Sequence, residues 1–83
     1  MPYIKQDARE KFEDYGSINM PKNAGELNYM ITQLLIEYMK NKPLNYQTIN
    51  DIIGAIEGAK QEFYRRVAVP YEDDKIRENG DVY

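Results

Sequence analysis

Residues 23–43 (NAGELNYMITQLLIEYMKNKP) carry the clearest structural signal in the chain. Asn23, followed three residues later by Glu26, resembles a capping box that begins a helix. Two lysines near the end of the stretch suit the negative end of a helix dipole, and Pro43 terminates the pattern. The stretch therefore predicts an amphipathic helix over residues 24–41. Its apolar face recurs at alternating steps of three and four residues and consists of Leu27, Met30, Ile31, Leu34, Leu35, Tyr38 and Met39.

Two further helices are predicted on either side of this one. A short helix over residues 5–15 is expected to stop at Gly16. A long helix over residues 46–68 has Asn45 as its N-cap, and Pro70 is expected to end it. The short helix carries Ile4, Ala8, Phe12 and Tyr15 at helical spacing, and the long one carries Ile49, Ile52, Ile53, Ile56, Ala59, Phe63 and Val67.

These patterns predict an all-α fold in a single domain spanning residues 1–83. The short N-terminal helix precedes an antiparallel hairpin of two helices, the second of them overlong, and the apolar stripes are expected to supply the core. The apolar residues of 69–83 do not recur with a clear helical or strand period. Tyr71, Ile76 and two apolar residues at the end nevertheless provide side chains that can pack against the rest of the protein. We therefore expect an ordered C-terminal tail.

The charged residues are unevenly distributed. The chain has 11 basic and 14 acidic residues, a net charge of −3. Acidic and basic residues are equal in number over residues 1–68. The whole net negative charge therefore lies in residues 69–83, shortly after Arg65 and Arg66. A balanced body with an acidic end argues against binding to a nucleic-acid backbone, which requires a basic surface. It also favours a tail that straps over a basic pocket or a neighbouring subunit.

The composition excludes most kinds of chemistry. The chain has no Cys and no His, the usual nucleophile, general base and metal ligands. Ser17 has no His to activate it, and no acid interrupts an apolar stripe as a buried catalytic carboxylate would. We therefore expect no enzymatic activity, no metal site and no cofactor. Because no apolar run approaches the length of a membrane span and no signal peptide is evident, we expect a cytoplasmic protein.

The densest polar cluster lies at the end of the long helix. One of its two adjacent arginines could hold a phosphate or carboxylate of a ligand. If the ligand is a nucleotide, a tyrosine could stack on its base and an asparagine could form hydrogen bonds with the polar edges of the base. In the alternative interpretation, the arginines pair with Glu62 and with the acidic tail and only tie the tail down. The candidate ligand-binding residues are Tyr64, Arg65, Arg66, Tyr71, Asn28 and Asn79.

Several residues point to self-association. Two glycines four residues apart in a helix indicate close packing, either with another helix of the same chain or between subunits. Tyrosines at positions 3, 29, 46 and 64 lie off the main stripes and would be exposed in a monomer, as interface tyrosines are. The candidate interface residues are Gly54, Gly58, Tyr29, Tyr46 and Tyr83.

The chain resembles a family of short uncharacterised proteins of phages and bacteria, classed as a domain of unknown function. The resemblance implies a small, non-secreted, often phage-encoded protein in which the GDVY ending is part of the fold, and it implies no activity. It rests on the strings YIK (3–5), GELNY (25–29), NYQTINDIIGA (45–55), EFYRRVAVPYED (62–73) and ENGDVY (78–83).

Two functions are consistent with these observations. The first is a non-catalytic, homo-oligomeric phage-type protein that binds or sequesters an anionic ligand, such as a nucleotide, at a subunit interface as part of counter-defence. The second is a protein–protein interaction module that inhibits or scaffolds a host or virion protein, with the surface tyrosines as contact residues.

Overall fold

The structure, a computed structural model, describes residues 2–13 and 19–83. Every regular element in these ranges is helical, which confirms the all-α prediction. The chain divides into two compact units, residues 3–52 and residues 53–83 with Pro2. The antiparallel hairpin and the single domain stay predictions, since the second and third helices lie largely in different units.

The N-terminal helix is short. Helix α1 spans Gln6–Arg9 and continues as one 3-10 turn, Glu10–Phe12. The Arg9 side chain folds back, and its Nε donates a hydrogen bond of 2.8 Å to the carbonyl of Ile4. The predicted end of this helix, at residues 15 and 16, lies outside the described residues.

Helix α2 spans Ala24–Met39 and begins at the predicted capping box. The Asn23 Oδ1 accepts a hydrogen bond of 2.9 Å from the Glu26 backbone N–H. In return, the Glu26 carboxylate accepts one of 3.0 Å from the backbone N–H of Lys22. The first bond satisfies a donor that the first turn of a helix leaves without an intrahelical partner, and the second ties the residue before the N-cap to the same turn.

Helix α3 spans Tyr46–Phe63 and has Asn45 before its first turn, as predicted. The Asn45 Oδ1 accepts a hydrogen bond of 2.9 Å from the backbone N–H of Thr48. Thr48, with 7% of its surface exposed, is the one buried residue in the described part of the chain. The start of α3 therefore has both a side-chain cap and local shielding from water.

Helical structure continues past Pro70, so the prediction that this proline ends the long helix is wrong. A π-helical turn, Tyr64–Ala68, joins α3 to α4, which spans Val69–Asn79. The helical run from α3 to α4 is 34 residues long, and most of the predicted tail is therefore helix. Proline lacks an N–H, and its ring crowds the carbonyl four residues back. The wider turn, in which the Val69 N–H bonds the Tyr64 carbonyl, relieves that crowding.

Helix α4 ends at a glycine. Gly80 adopts φ 88°, in the region that favours glycine, and its N–H donates a hydrogen bond of 2.8 Å to the Ile76 carbonyl. Asn79 is the last residue of α4, and Gly80 is thus its C-terminal cap.

The apolar stripes do not form a buried core within the described residues, contrary to the sequence prediction. No apolar side chain there is buried, and 25 large apolar side chains are exposed. On α2 the most exposed is Leu34, at 68%; on α3 and the π turn, Ile53, Phe63 and Val67 are each more than half exposed. Leu, Ile and Phe are normally among the most buried residue types.

We expect Asn45→Ala to lower the free energy of unfolding by about 1 kcal/mol, because it removes the side-chain acceptor at the start of α3. Denaturant unfolding at fixed protein concentration, followed by circular dichroism, measures the effect. Asn50→Ala is the matched control, since it makes the same change at an exposed position inside α3, where alanine is the better helix former. Equal losses in both variants would contradict a capping role for Asn45.

Candidate functional site

The two arginines of the predicted ligand site lie in the π turn and share one acidic partner. Arg65 donates to Glu62 Oε1 from Nε and from a terminal nitrogen, at 3.0 Å and 2.7 Å. Arg66 lies farther away, with its Nε 3.9 Å from the same oxygen. The Glu62 side chain is only 16% exposed, whereas that of Arg66 is 66% exposed. This part of the structure therefore agrees with the alternative in which the arginines pair with Glu62.

Tyr64 and Glu72 meet across the π turn. The Tyr64 hydroxyl donates a hydrogen bond of 2.8 Å to the Glu72 carboxylate, eight residues along the chain. In an uninterrupted α-helix, residues eight apart point about 80° away from each other. The extra residue of the π turn brings them onto one side. This bond, and then the negative charge of Glu72, raise the pKa of Tyr64 above its ordinary value of 10.0.

The acidic end of the chain pairs mainly within α4. Arg77 pairs with Asp74, and the Lys75 Nζ lies 3.2 Å from a Glu78 oxygen. Residues 69–79 continue the helix and hold several of their charges along its own surface, and the predicted strap over a basic pocket or a neighbouring subunit stays a prediction. Tyr64 of the π turn is joined to α4 by its hydrogen bond to Glu72.

The other predicted ligand residues are dispersed. Tyr71 is exposed and has the Lys75 ammonium 5.4 Å from its ring centre. Asn79, the last residue of α4, lines a shallow concavity of about 330 Å³ with Ile76. Asn28 lies on α2 in the other unit, where its carbonyl accepts a hydrogen bond of 2.8 Å from the Thr32 hydroxyl. The unit of residues 53–83 thus contains Tyr64, Arg65, Arg66, Tyr71 and Asn79.

The predicted interface residues are accessible. Tyr29, Tyr46 and Tyr83 are exposed, and Tyr46 retains 84% of its surface. A methyl group added at Gly54 would meet no atom within 4 Å. No described side chain therefore requires a glycine at that position, and both packing alternatives stay predictions. Gly58 is partly buried.

An apolar groove lies beside α2, within the unit of residues 3–52. It encloses about 480 Å³. Leu27, Met30, Ile31 and Leu34 line it from the helix, and Met20 and Pro21 line it from the preceding connector. Two polar residues, Gln33 and Glu37, also line it. A groove of this kind fits an apolar protein surface better than an anion.

The model of one protein family, described as "Domain of unknown function (DUF6899)", matches residues 1–82 of this sequence. The chain belongs to the DUF6899 family. No curated protein and no solved structure matches it. Membership confirms the resemblance to an uncharacterised family and assigns no activity to the residues above.

Sequence reasoning missed two features of this DUF6899 chain. It assigned the Leu34 face of α2 to the core, and it did not find Glu72 as the partner of Tyr64. A separation of eight residues places Tyr64 and Glu72 on the same side of a helix only when a π turn lies between them, so the spacing alone does not predict their contact. Pro70 inside a continuing helix is the signal for such a turn.

The described residues present accessible charged, aromatic and apolar groups. No three Asp or Glu side chains in that part of the chain gather as ligands of one metal ion would. None of the described helices combines the length and the hydropathy that a membrane crossing requires. The arrangement offers an accessible guanidinium at Arg66, an accessible ring at Tyr71, and large apolar helix faces.

We expect Glu72→Gln to lower the pKa of Tyr64 towards 10.0, because the neutral amide removes the negative charge that favours the protonated phenol. Alkaline absorbance titration measures tyrosinate formation, and subtracting the curve of Tyr64→Phe isolates this tyrosine. Glu78→Gln is the matched control, since Glu78 pairs with Lys75. An unchanged Tyr64 midpoint in Glu72→Gln would show that the bond does not persist in solution.

Proposed function

We propose that this protein is a non-catalytic protein–protein interaction module that acts as a homo-oligomer. The observation that carries the proposal is the exposure of the apolar helix faces: no described apolar side chain is buried. A chain of this size that folds alone buries about 60% of its unfolded surface, mainly through such residues. Each large apolar side chain that is buried contributes about 1.5–3 kcal/mol. A second copy of the chain can supply this missing burial.

The open position at Gly54 supports the same proposal. Glycine inside a helix costs about 1 kcal/mol relative to alanine, and in the described part of the chain no atom lies within 4 Å of the position that a side-chain methyl would take at Gly54. Close approach of a helix from another subunit would use it. The exposed tyrosines at positions 29 and 46 are of the residue type enriched in such contacts. A phage or bacterial origin, a cytoplasmic location and a role in inhibiting or scaffolding another protein belong to this proposal.

We expect the full chain to sediment as a species larger than 9.8 kDa and its melting temperature to rise with protein concentration, because association stabilises the folded state. Apolar contacts are insensitive to screening, so the species should persist in about 1 M salt. Analytical ultracentrifugation over a hundredfold concentration range checks both points. A single 9.8 kDa species throughout would overturn the proposal.

A second candidate function is the binding of an anionic small molecule, such as a nucleotide. The supporting observation is the placement of Tyr64, Arg65 and Arg66 in a π turn, a feature frequently found at functional sites. Arg66 is largely accessible, and its contact with Glu62 is long. Tyr71, exposed on the next turn, offers a ring for stacking.

We expect a mono-, di- or cyclic nucleotide that binds this site to raise the melting temperature by several degrees at about 100 times its Kd. The rise should disappear in Arg66→Gln and persist in Arg77→Gln, a matched control whose arginine pairs with Asp74. Thermal melts followed by circular dichroism measure the shift. No rise with any nucleotide of the panel, or equal loss in both variants, would count against this site.

A further inference from the structure

The pair Asn79–Gly80, where α4 ends, has a chemical property that no other asparagine of the chain shares. Of all the asparagines in the sequence, only Asn79 is followed by glycine. Glycine has no Cβ to hinder the approach of its backbone nitrogen to the side-chain amide of the preceding asparagine. Attack of that nitrogen on the amide carbon is the first step of spontaneous deamidation, which therefore favours this pair over every other asparagine of the chain.

The reaction needs only water besides the chain itself. The Gly80 nitrogen loses its proton to solvent and forms a bond to Cγ of Asn79. The bond from Cγ to the amide nitrogen breaks, and ammonia leaves with a proton taken from solvent. Water then opens the resulting five-membered succinimide. Hydrolysis between its nitrogen and Cγ leaves aspartate, whereas hydrolysis between its nitrogen and the backbone carbonyl carbon leaves isoaspartate, in which the main chain runs through the side chain.

The structure shows that this pair is exposed and also held closed. Asn79 is exposed at the end of α4, and no described atom lies within 4 Å of the position that a side-chain methyl would take at Gly80. The Gly80 N–H, however, donates its hydrogen bond of 2.8 Å to the Ile76 carbonyl. This bond keeps the proton on the nitrogen and the nitrogen in the helix cap. Ring closure therefore requires the last turn of α4 to open.

Opening of this turn costs little free energy. The ends of helices fray with opening free energies far below that of global unfolding. Residues 81–83 lie outside the helix, and Val82 and Tyr83 are almost wholly exposed, so their packing does little to hold the end of α4 in place. The open state that the reaction needs is therefore reached while the rest of the chain stays folded.

We propose that Asn79 is a self-modification site, converted to aspartate and isoaspartate by the Gly80 nitrogen from the state in which the last turn of α4 is open, and that the conversion loosens this turn. Both products add a carboxylate at the negative end of the helix dipole, between the acidic residues Glu78 and Asp81. Isoaspartate also inserts a carbon into the main chain, which displaces the Gly80 N–H from the Ile76 carbonyl. The inference is independent of the proposed association.

Incubation of the full chain at mildly alkaline pH, followed by peptide mapping with mass spectrometry, tests the site. We expect Asn79 to convert while the other asparagines stay unchanged. Labelling with a protein isoaspartyl methyltransferase identifies the isoaspartate fraction. No conversion at Asn79, or faster conversion of another asparagine, would overturn the assignment of the site.

Two variants test whether opening of the helix end controls the reaction. Glu78→Gly and Glu78→Ala both remove the carboxylate that pairs with Lys75, so they differ mainly in the helix propensity of the last turn. Glu78→Gly is expected to convert Asn79 about fivefold faster than Glu78→Ala, the factor to which the difference in propensity between glycine and alanine corresponds. Equal rates in the two variants would overturn the control by helix opening.

Hydrogen exchange tests the effect of the conversion on α4. The converted chain is separated from the unconverted chain by ion exchange, since it carries one more carboxylate. Amide hydrogens in the last turn of α4 are expected to exchange about threefold faster in the converted chain, because the new charge opposes the helix dipole. The amides of α2 are the internal control and are expected to exchange equally in both. Unchanged exchange in the last turn of α4 would overturn the proposed loosening.

Discussion

A helix of ordinary length is held in water mainly by the burial of one apolar face against another surface, because its own hydrogen bonds contribute little net free energy. In this DUF6899 chain the helices carry such faces, yet no apolar side chain of the described residues is buried. Capping at Asn23 and Asn45 stabilises helix starts by about 1 kcal/mol each. That contribution is small beside the burial that an apolar face can supply, and the need for burial links the fold to the proposed association.

Pro70 imposes the second constraint. Its missing N–H and bulky ring are accommodated by the π turn Tyr64–Ala68 instead of by a break in the helix. The turn changes which side chains share a face, and it thereby joins Tyr64 to Glu72 while both arginines remain beside Glu62. A proline that would ordinarily end the helix thus sets the arrangement of the whole polar cluster.

The local features of the fold could be predicted from the sequence because their causes are local. The start of α2 follows from Asn23 and Glu26, and the start of α3 from Asn45. The continuation past Pro70 could not be predicted from spacing alone, since a proline in a helical pattern more often marks its end. The pairing of Arg65 with Glu62 was among the sequence alternatives. The Tyr64–Glu72 bond was not among them, because the two side chains reach the same side of the helix only through the extra residue of the π turn.

The sequence by itself determined that the chain is helical and where its second and third helices begin, since these depend on periodicity and caps. Only the tertiary structure decided which apolar stripes stay in contact with water. Periodicity shows that a face is apolar, but burial depends on whether another surface lies close enough to cover it. On α2 the structure places Leu34, a residue of the apolar stripe, on an accessible surface.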